Sequence, residues 1–276
     1  MMYKIILIIG AMALAGCSAP VITDPLIVAH RGASYDAPEN TMPAFMLAWE
    51  QGADAIEGDF HLTADGEIVC IHDNHTGRVA DTSLVVSKST LEELQELDVG
   101  SWKGDQWEGT KIPTIAEVFE IVPMGMKIYV EVKAGTEMLP KLYEEIERSP
   151  LIPDQIVIIS FNSDVVKEFK AARPMHEVFW LSGFREDEEG NIIPDTETIL
   201  ETLKETGADG FSSHYGLADP EMIDTIIEEG YEYHVWTVND VSVAWDFKQY
   251  GASSVTTDMP GLIRDFFQER AETSDN

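Results

Sequence analysis

Gly52-Ala53-Asp54-Ala55-Ile56-Glu57-Gly58-Asp59 is a short apolar run that closes on two carboxylates spaced two residues apart. Such a run reads as a buried strand. Strand geometry puts residues two apart on one face, so Glu57 and Asp59 leave it together near its carboxyl end. Lys127 to Val132, followed by Lys133, repeats the pattern, with Glu131 and Lys133 sharing a face. Outward from these two runs, strand-like segments alternate with amphipathic helical ones, the pattern of a parallel sheet covered by helices. The runs number eight: Leu26 to His30, Ala53 to Asp59, Lys127 to Val132, Ile156 to Phe161, Glu177 to Leu181, Gly210 to Ser213, Tyr233 to Thr237 and Ser254 to Thr257. Eight is the closure number of a barrel, so the expected fold is an α/β (β/α)8 TIM barrel.

Helix starts fit between the runs: Thr41 caps a segment from Pro43, Asn162 or Ser163 caps Asp164 to Ala171, and Asp219 with Pro220 opens Glu221 to Glu229. The connection between the second and third runs, about His61 to Met126, carries its own strand, Glu67 to His72, and a short helix near Ser89 to Leu97. This small insertion is expected to be functional, as elaborated barrel loops usually are. With 276 residues, 44% of them hydrophobic, the chain can build one large core.

The N-terminus stands apart from that core. Lys4 precedes the apolar run Ile5 to Leu14, too short for a stable membrane span and readable as the h-region of a secretory signal. Leu14-Ala15-Gly16-Cys17 follows and resembles a bacterial lipoprotein signal, in which the cysteine is acylated and becomes the new N-terminus; an ordinary signal peptide with an incidental cysteine is the alternative. On this reading residues 1–16 are removed, residues 17–25 are lipidated Cys17 and a linker, residues 26–270 form the barrel, and residues 271–276 are a fraying acidic tail. The protein is then exported and membrane-anchored, and Ser18 after the cysteine points to the periplasmic side of the outer membrane if the cell has one. With Cys17 acylated, Cys70 has no disulfide partner, and its place in Ile68-Val69-Cys70-Ile71 suits a buried, inert thiol. The formal charge of −32 repels phosphate backbones and anionic lipids, so no nucleic-acid partner is expected and the anchor, not charge, would hold the membrane.

In a barrel the second and third strands are neighbours, so Glu57, Asp59 and Glu131 converge at one mouth. Three carboxylates without thiolates suit a hard divalent cation, Mg²⁺ or Ca²⁺. Isolated ion pairs are the bland alternative, but charges flanked by Ile56, Val130 and Val132 are costly unless paired or metal-bound. His30-Arg31-Gly32 closes the first strand and His72-Asp73 closes the strand inside the insertion, bringing two imidazoles to the same mouth. A histidine pair can take a proton from an attacking oxygen and return one to a leaving group. Arg31 and Lys133 add the positive charge that a phosphodiester needs. His61, His75, His176, His214 and His234 are read as structural or surface residues, His214 with the least support because it follows the sixth strand.

His30-Arg31-Gly32-Ala33, Ala37-Pro38-Glu39-Asn40-Thr41, Gly52 to Asp59, Leu62-Thr63-Ala64-Asp65-Gly66 and His72-Asp73 together resemble the signature of the glycerophosphodiester phosphodiesterases in order and spacing. Ile112-Pro113-Thr114, Glu131 with Lys133, Val235-Trp236-Thr237-Val238-Asn239 and Thr256-Thr257-Asp258-Met259-Pro260 extend the match from about Ile27 to about Leu262. The resemblance implies His30 and His72 as catalytic acid and base, Glu57, Asp59 and Glu131 as metal ligands, and Arg31 and Lys133 around the phosphate. Trp236 and Phe161, at strand ends, are expected against the substrate, with plain barrel core the alternative for Phe161. Gly58 departs from an aliphatic residue and Phe60 from a β-branched one; Gly58 should face away from the mouth. Asn74-His75-Thr76 departs where the family more often has Pro and acidic residues, at the pocket edge.

The resemblance implies hydrolysis of a small glycerophosphodiester to glycerol 3-phosphate and an alcohol, either through a cyclic phosphate formed by the glycerol hydroxyl or by direct attack of water. A lysophospholipase D or sphingomyelinase D type activity is the neighbouring alternative and must admit a lipid tail. A lipid-anchored binding protein without catalysis is the alternative from another class; it has no need of a paired acid and base.

Overall fold

The computed structural model describes residues 24–274, so the expected signal segment, Cys17 and most of the linker lie outside the described residues. The strands are β1 (Leu26–Ala29), β2 (Ala55–Leu62), β3 (Ile68–Cys70), β4 (Lys127–Val132), β5 (Ile156–Ser160), β6 (Glu177–Ser182), β7 (Arg185–Glu186), β8 (Ile192–Ile193), β9 (Gly210–His214), β10 (Glu232–Trp236) and β11 (Ser254–Thr257). Apart from β3, β7 and β8 they run parallel in the order β1-β11-β10-β9-β6-β5-β4-β2. The pairing of Val28 with Ala55 joins β2 back to β1 and closes the ring. The fold is the expected (β/α)8 TIM barrel.

The helices are α1 (Met42–Glu50), α2 (Leu91–Gln95), α3 (Ile115–Glu120), α4 (Leu139–Arg148), α5 (Ser163–Ala172), α6 (Thr196–Thr206), α7 (Pro220–Glu228), α8 (Val241–Gln249) and α9 (Pro260–Ser274). Their starts follow the capping residues: Thr41 accepts from the Ala44 amide, Asn162 from Asp164, and Asp219 from Glu221, each satisfying an orphan first-turn donor. Among the described residues no helix is long and apolar enough to cross a membrane.

Strand alternation divides the core in two. Ile56, Phe60, Ile128, Val130 and Ile158 point outward and join Phe45 of α1 and Phe119 of α3 between sheet and helices. Val28, Ala55, Tyr129, Val157, Ile159, Phe179 and Leu181 point inward and fill the barrel. Phe45, Phe60 and Phe119 are fully buried, and each burial stabilises by roughly 1.5–3 kcal/mol. A third cluster, Val69, Ile71, Val86, Leu94 and Ile112 among it, lies under the insertion and seats α2.

Most element ends fall within a residue or two of expectation, and three features depart further. β2 continues past Asp59 to Leu62 because Phe60 and Leu62 pair with Cys70 and Ile68 of antiparallel β3, so the two carboxylates sit within the strand rather than at its end. The β7-β8 hairpin was not foreseen; its two-residue strands carry no periodic pattern. α9 runs on to Ser274, beyond Arg270 where fraying was expected, and the Arg270 guanidinium lies 4.5 Å from the Trp245 ring centroid.

Candidate active site

The inward face of the strands collects the site at one mouth. One oxygen from each of Glu57, Asp59 and Glu131 lies within 4.8 Å of the others, an all-oxygen donor set that suits a hard divalent cation. Glu57 and Asp59 are almost wholly buried. Burial and the neighbouring carboxylates push Glu57 well above the usual range. Burial and Asp59 raise Glu131 to about 7. Burial also works against the charge on Asp59, but Arg31, Lys133 and His72 outweigh it and hold that carboxyl low. Two of the three crowded acids hold their protons more tightly than usual, so a divalent cation would favour their ionised forms.

Asp59 forms the base of the cluster. Lys133 Nζ lies 3.3 Å from Asp59 Oδ1 and 2.8 Å from Glu131 Oε1, and Arg31 Nε lies 3.2 Å from Asp59 Oδ2. Asn40 Nδ2 donates to Asp59 Oδ2 at 2.8 Å, while Asn40 Oδ1 accepts from the Asp59 amide at 3.1 Å and from Cys70 Sγ at 3.2 Å. The Arg31 amide donates to Glu57 Oε2 at 2.9 Å. Arg31 and Asn40 both take φ 57°, left-handed backbone that a local hydrogen bond between the Asn40 amide and the Arg31 carbonyl supports.

Each expected catalytic histidine is held at Nδ1 by a carboxylate. His30 Nδ1 lies 2.7 Å from Asp258 Oδ1, and His72 Nδ1 lies 2.7 Å from Asp73 Oδ1. Burial opposes charge on Asp258, yet the His30 contact and the amide of Asn239 bring it down to about 2. Burial likewise opposes Asp73, and Arg78 with His72 brings it to about 2. An ionised carboxylate only accepts, so Nδ1 of each imidazole is the donor and Nε2 is left for the cleft. Asp258 is itself fixed by Ser34 Oγ at 2.9 Å and Asn239 Nδ2 at 2.7 Å. Arg78 bridges Asp73 and Glu39, and Glu39 also accepts from Arg31 at 3.2 Å. His61 Nε2 lies 3.1 Å from the His72 carbonyl and steadies its backbone.

His30, Arg31, Glu57, His72, Glu131, Lys133, Phe161 and Trp236 all line one cleft of about 590 Å³, counting its open mouth. Asp59 does not reach the cleft surface; it lies beneath Arg31 and Lys133. Phe161 is about half exposed and its ring meets Trp236 at 5.7 Å between centroids, so it is not plain core. The cleft descends to Tyr129, Ser212, His234 and Ser254 inside the barrel.

The model of the glycerophosphoryl diester phosphodiesterase family matches residues 30–262. The chain belongs to this family. A glycerophosphodiester phosphodiesterase of Caldanaerobacter subterraneus subsp. tengcongensis is 30% identical over 244 residues, 86% of this chain and 96% of that one. One of Bacillus subtilis strain 168 is 29% identical, covering 86% and 85%. A phosphodiesterase of Oleispira antarctica, solved with the product sn-glycerol 3-phosphate, superposes with a TM-score of 0.80 at 29% identity over 88% of this chain and 97% of that one.

Within this glycerophosphoryl diester phosphodiesterase fold, sequence reasoning passed over the supporting groups. Asp73 stood beside His72 and could have been read as its partner. Glu39, Asn239 and Asp258 stood in the segments that carry the family resemblance but were given no role, and Arg78 gave no local signal. His214, assigned to structure or surface, ends β9 with its ring 5.5 Å from Trp236. His234, also read as structural or surface, is buried and stacked on Phe179 at the inner end of the cleft, with Nδ1 2.8 Å from Ser254 Oγ. Gly58 faces outward: a Cβ there would meet Cys70 Sγ at 3.0 Å and Phe45 Cζ at 3.2 Å.

Proposed function

We propose that the chain hydrolyses small glycerophosphodiesters to glycerol 3-phosphate and an alcohol, using a divalent metal and a His30/His72 acid-base pair. The observation that carries this reading is the matched pair of imidazoles, each held at Nδ1 by an ionised carboxylate and each lining the cleft that Glu57 and Glu131 also line. One imidazole takes the proton of the attacking hydroxyl at Nε2 while the other, protonated, gives its Nε2 proton to the departing alkoxide. The carboxylate behind each ring accepts from Nδ1 and fixes the ring's direction. Arg31 and Lys133 orient the phosphate oxygens.

Glu57, Asp59 and Glu131 would hold the ion, Mg²⁺ or Ca²⁺, which supplies positive charge where negative charge grows on the phosphoryl group. The product-bound Oleispira antarctica relative supports a glycerol 3-phosphate product here. Release of glycerol 3-phosphate from glycerophosphocholine, with and without chelator and beside His30→Ala and Glu57→Ala, tests the reading. Turnover that survives the chelator or either substitution would sink it.

Membrane anchoring belongs to the same reading and rests on Leu14-Ala15-Gly16-Cys17. Metabolic labelling with a tagged fatty acid, lost in Cys17→Ala, is the expected result; label retained by that variant counts against the anchor.

A further inference from the structure

Arg31 and Lys133 come from the arc of β1, β2 and β4, whereas Phe161 and Trp236, which line the cleft with them, come from the ends of β5 and β10 on a second arc. His214 and Tyr215 lie beside Trp236, outside the cleft lining. On that second arc the Phe161 ring stands at 78° to the Trp236 indole with centroids 5.7 Å apart, and the His214 ring at 76° and 5.5 Å. Tyr215 stacks on His214 at 4.7 Å. Phe161 is 49% exposed and Tyr215 39%, so this rim keeps aromatic faces open to solvent instead of burying them. Trp236 Nε1 is buried without a hydrogen-bond partner.

The β7-β8 hairpin rises between the strand that follows Phe161 and the strand that ends in His214, and it carries Glu186, Asp187, Glu188 and Glu189 against one basic residue, Arg185. Asp187 is tied into its own turn by the amides of Glu189 and Asn191, which leaves three exposed glutamates on the hairpin. The aromatic arc of the mouth thus has acidic neighbours that suit a cation, while Arg31 and Lys133 on the other arc stand among the carboxylates with which they pair.

We infer that the aromatic rim binds a quaternary ammonium on the leaving alcohol, so that choline esters are the preferred substrates; the inference rests on the phosphodiesterase reading above. A trimethylammonium donates no hydrogen bond and is weakly hydrated, so ring faces compete well with water for it. A primary ammonium is more strongly hydrated and gains less. A polyol headgroup needs acceptors as well as donors, and this rim offers mainly ring faces.

The test compares glycerophosphocholine with its neutral isostere bearing a 3,3-dimethylbutyl group and with glycerophosphoinositol, on the wild type and on the Phe161→Leu/His214→Asn double variant. Asparagine at 214 keeps an acceptor for the Gly216 amide, which His214 Nδ1 now accepts at 3.1 Å, while removing the ring. The wild type should prefer the choline ester over its isostere by about 5- to 30-fold in kcat/KM, carried by KM, and the double variant by less than about 2-fold. Equal use of both esters by the wild type, a preference that survives the double substitution, or a preference for the inositol ester overturns the inference. Calorimetric binding of the same three esters reads the rim without turnover. Should no ester be hydrolysed, the phosphodiesterase reading fails while the binding preference still decides the rim.

Discussion

Asp258 accepts a hydrogen bond from His30 across 228 residues of sequence, at 2.7 Å between Oδ1 and Nδ1. The contact fixes the ring's tautomer and direction. Asp258→Asn keeps the size but removes the charge, and an amide nitrogen at that position would favour the opposite tautomer. We expect kcat to fall by about 10²- to 10⁴-fold with KM little changed. A kcat within a factor of about 3 of wild type in steady-state assays would show that His30 needs no such partner.

Burial holds His234 down at about 3, whereas a histidine in an unfolded chain titrates near about 6.5. Between these values the unfolded chain binds a proton that the native state refuses. The stability contribution is therefore present above about pH 6.5 and lost as pH falls towards about 3. His234→Gln removes the titration and retains a polar contact for Ser254. Urea unfolding should show the wild type losing up to about 1.4 kcal/mol more per pH unit than the variant in that window. Parallel stability curves would contradict the assignment.

Asn40 combines left-handed backbone with three side-chain hydrogen bonds, two to Asp59 and one from Cys70. Asn40→Ala should destabilise by roughly 2–4 kcal/mol through unsatisfied buried groups and strain. Asn40→Gly should recover about 1 kcal/mol of this by relieving the strain alone. Neither variant should recover wild-type activity, because Asp59 loses its orienting amide. Chemical denaturation and turnover measured together separate the two effects.

Gly58 has Cys70 Sγ and Phe45 Cζ where a side chain would begin. Gly58→Ala should cost about 1–3 kcal/mol by overpacking. Cys70→Ala removes the nearest atom, so the double variant should be more stable than the two single costs predict, with a coupling of about 0.5–3 kcal/mol. Strict additivity in a double-mutant cycle would mean that the strain is relieved elsewhere.

Much of this was legible in the chain because strand parity is a local property. Glu57 and Asp59, and Glu131 and Lys133, share a face by spacing alone, and β4 and β11 fall where their apolar runs predicted. The overrun of β2 was also written in Phe60-His61-Leu62, whose alternation continues past the carboxylates. What escaped was held by tertiary contact. The Asp258 partnership depends on barrel closure, the Glu39-Arg78-Asp73 chain depends on how the insertion folds back, and the Phe161-Trp236-His214 array joins three separate strands. Such pairings leave no periodicity, and only Asp73, adjacent to His72, was within reach of local reading.

β11 is the last strand of the barrel in the chain, and its pairing with β1 places Asp258 against His30. A polypeptide folded as far as β10 already owns its acidic trio and both imidazoles, yet one of those imidazoles has no anchor. Catalytic competence therefore requires the two ends of the barrel sequence to meet, so turnover reports whether β11 is docked on β1 and the earlier strands alone cannot supply it.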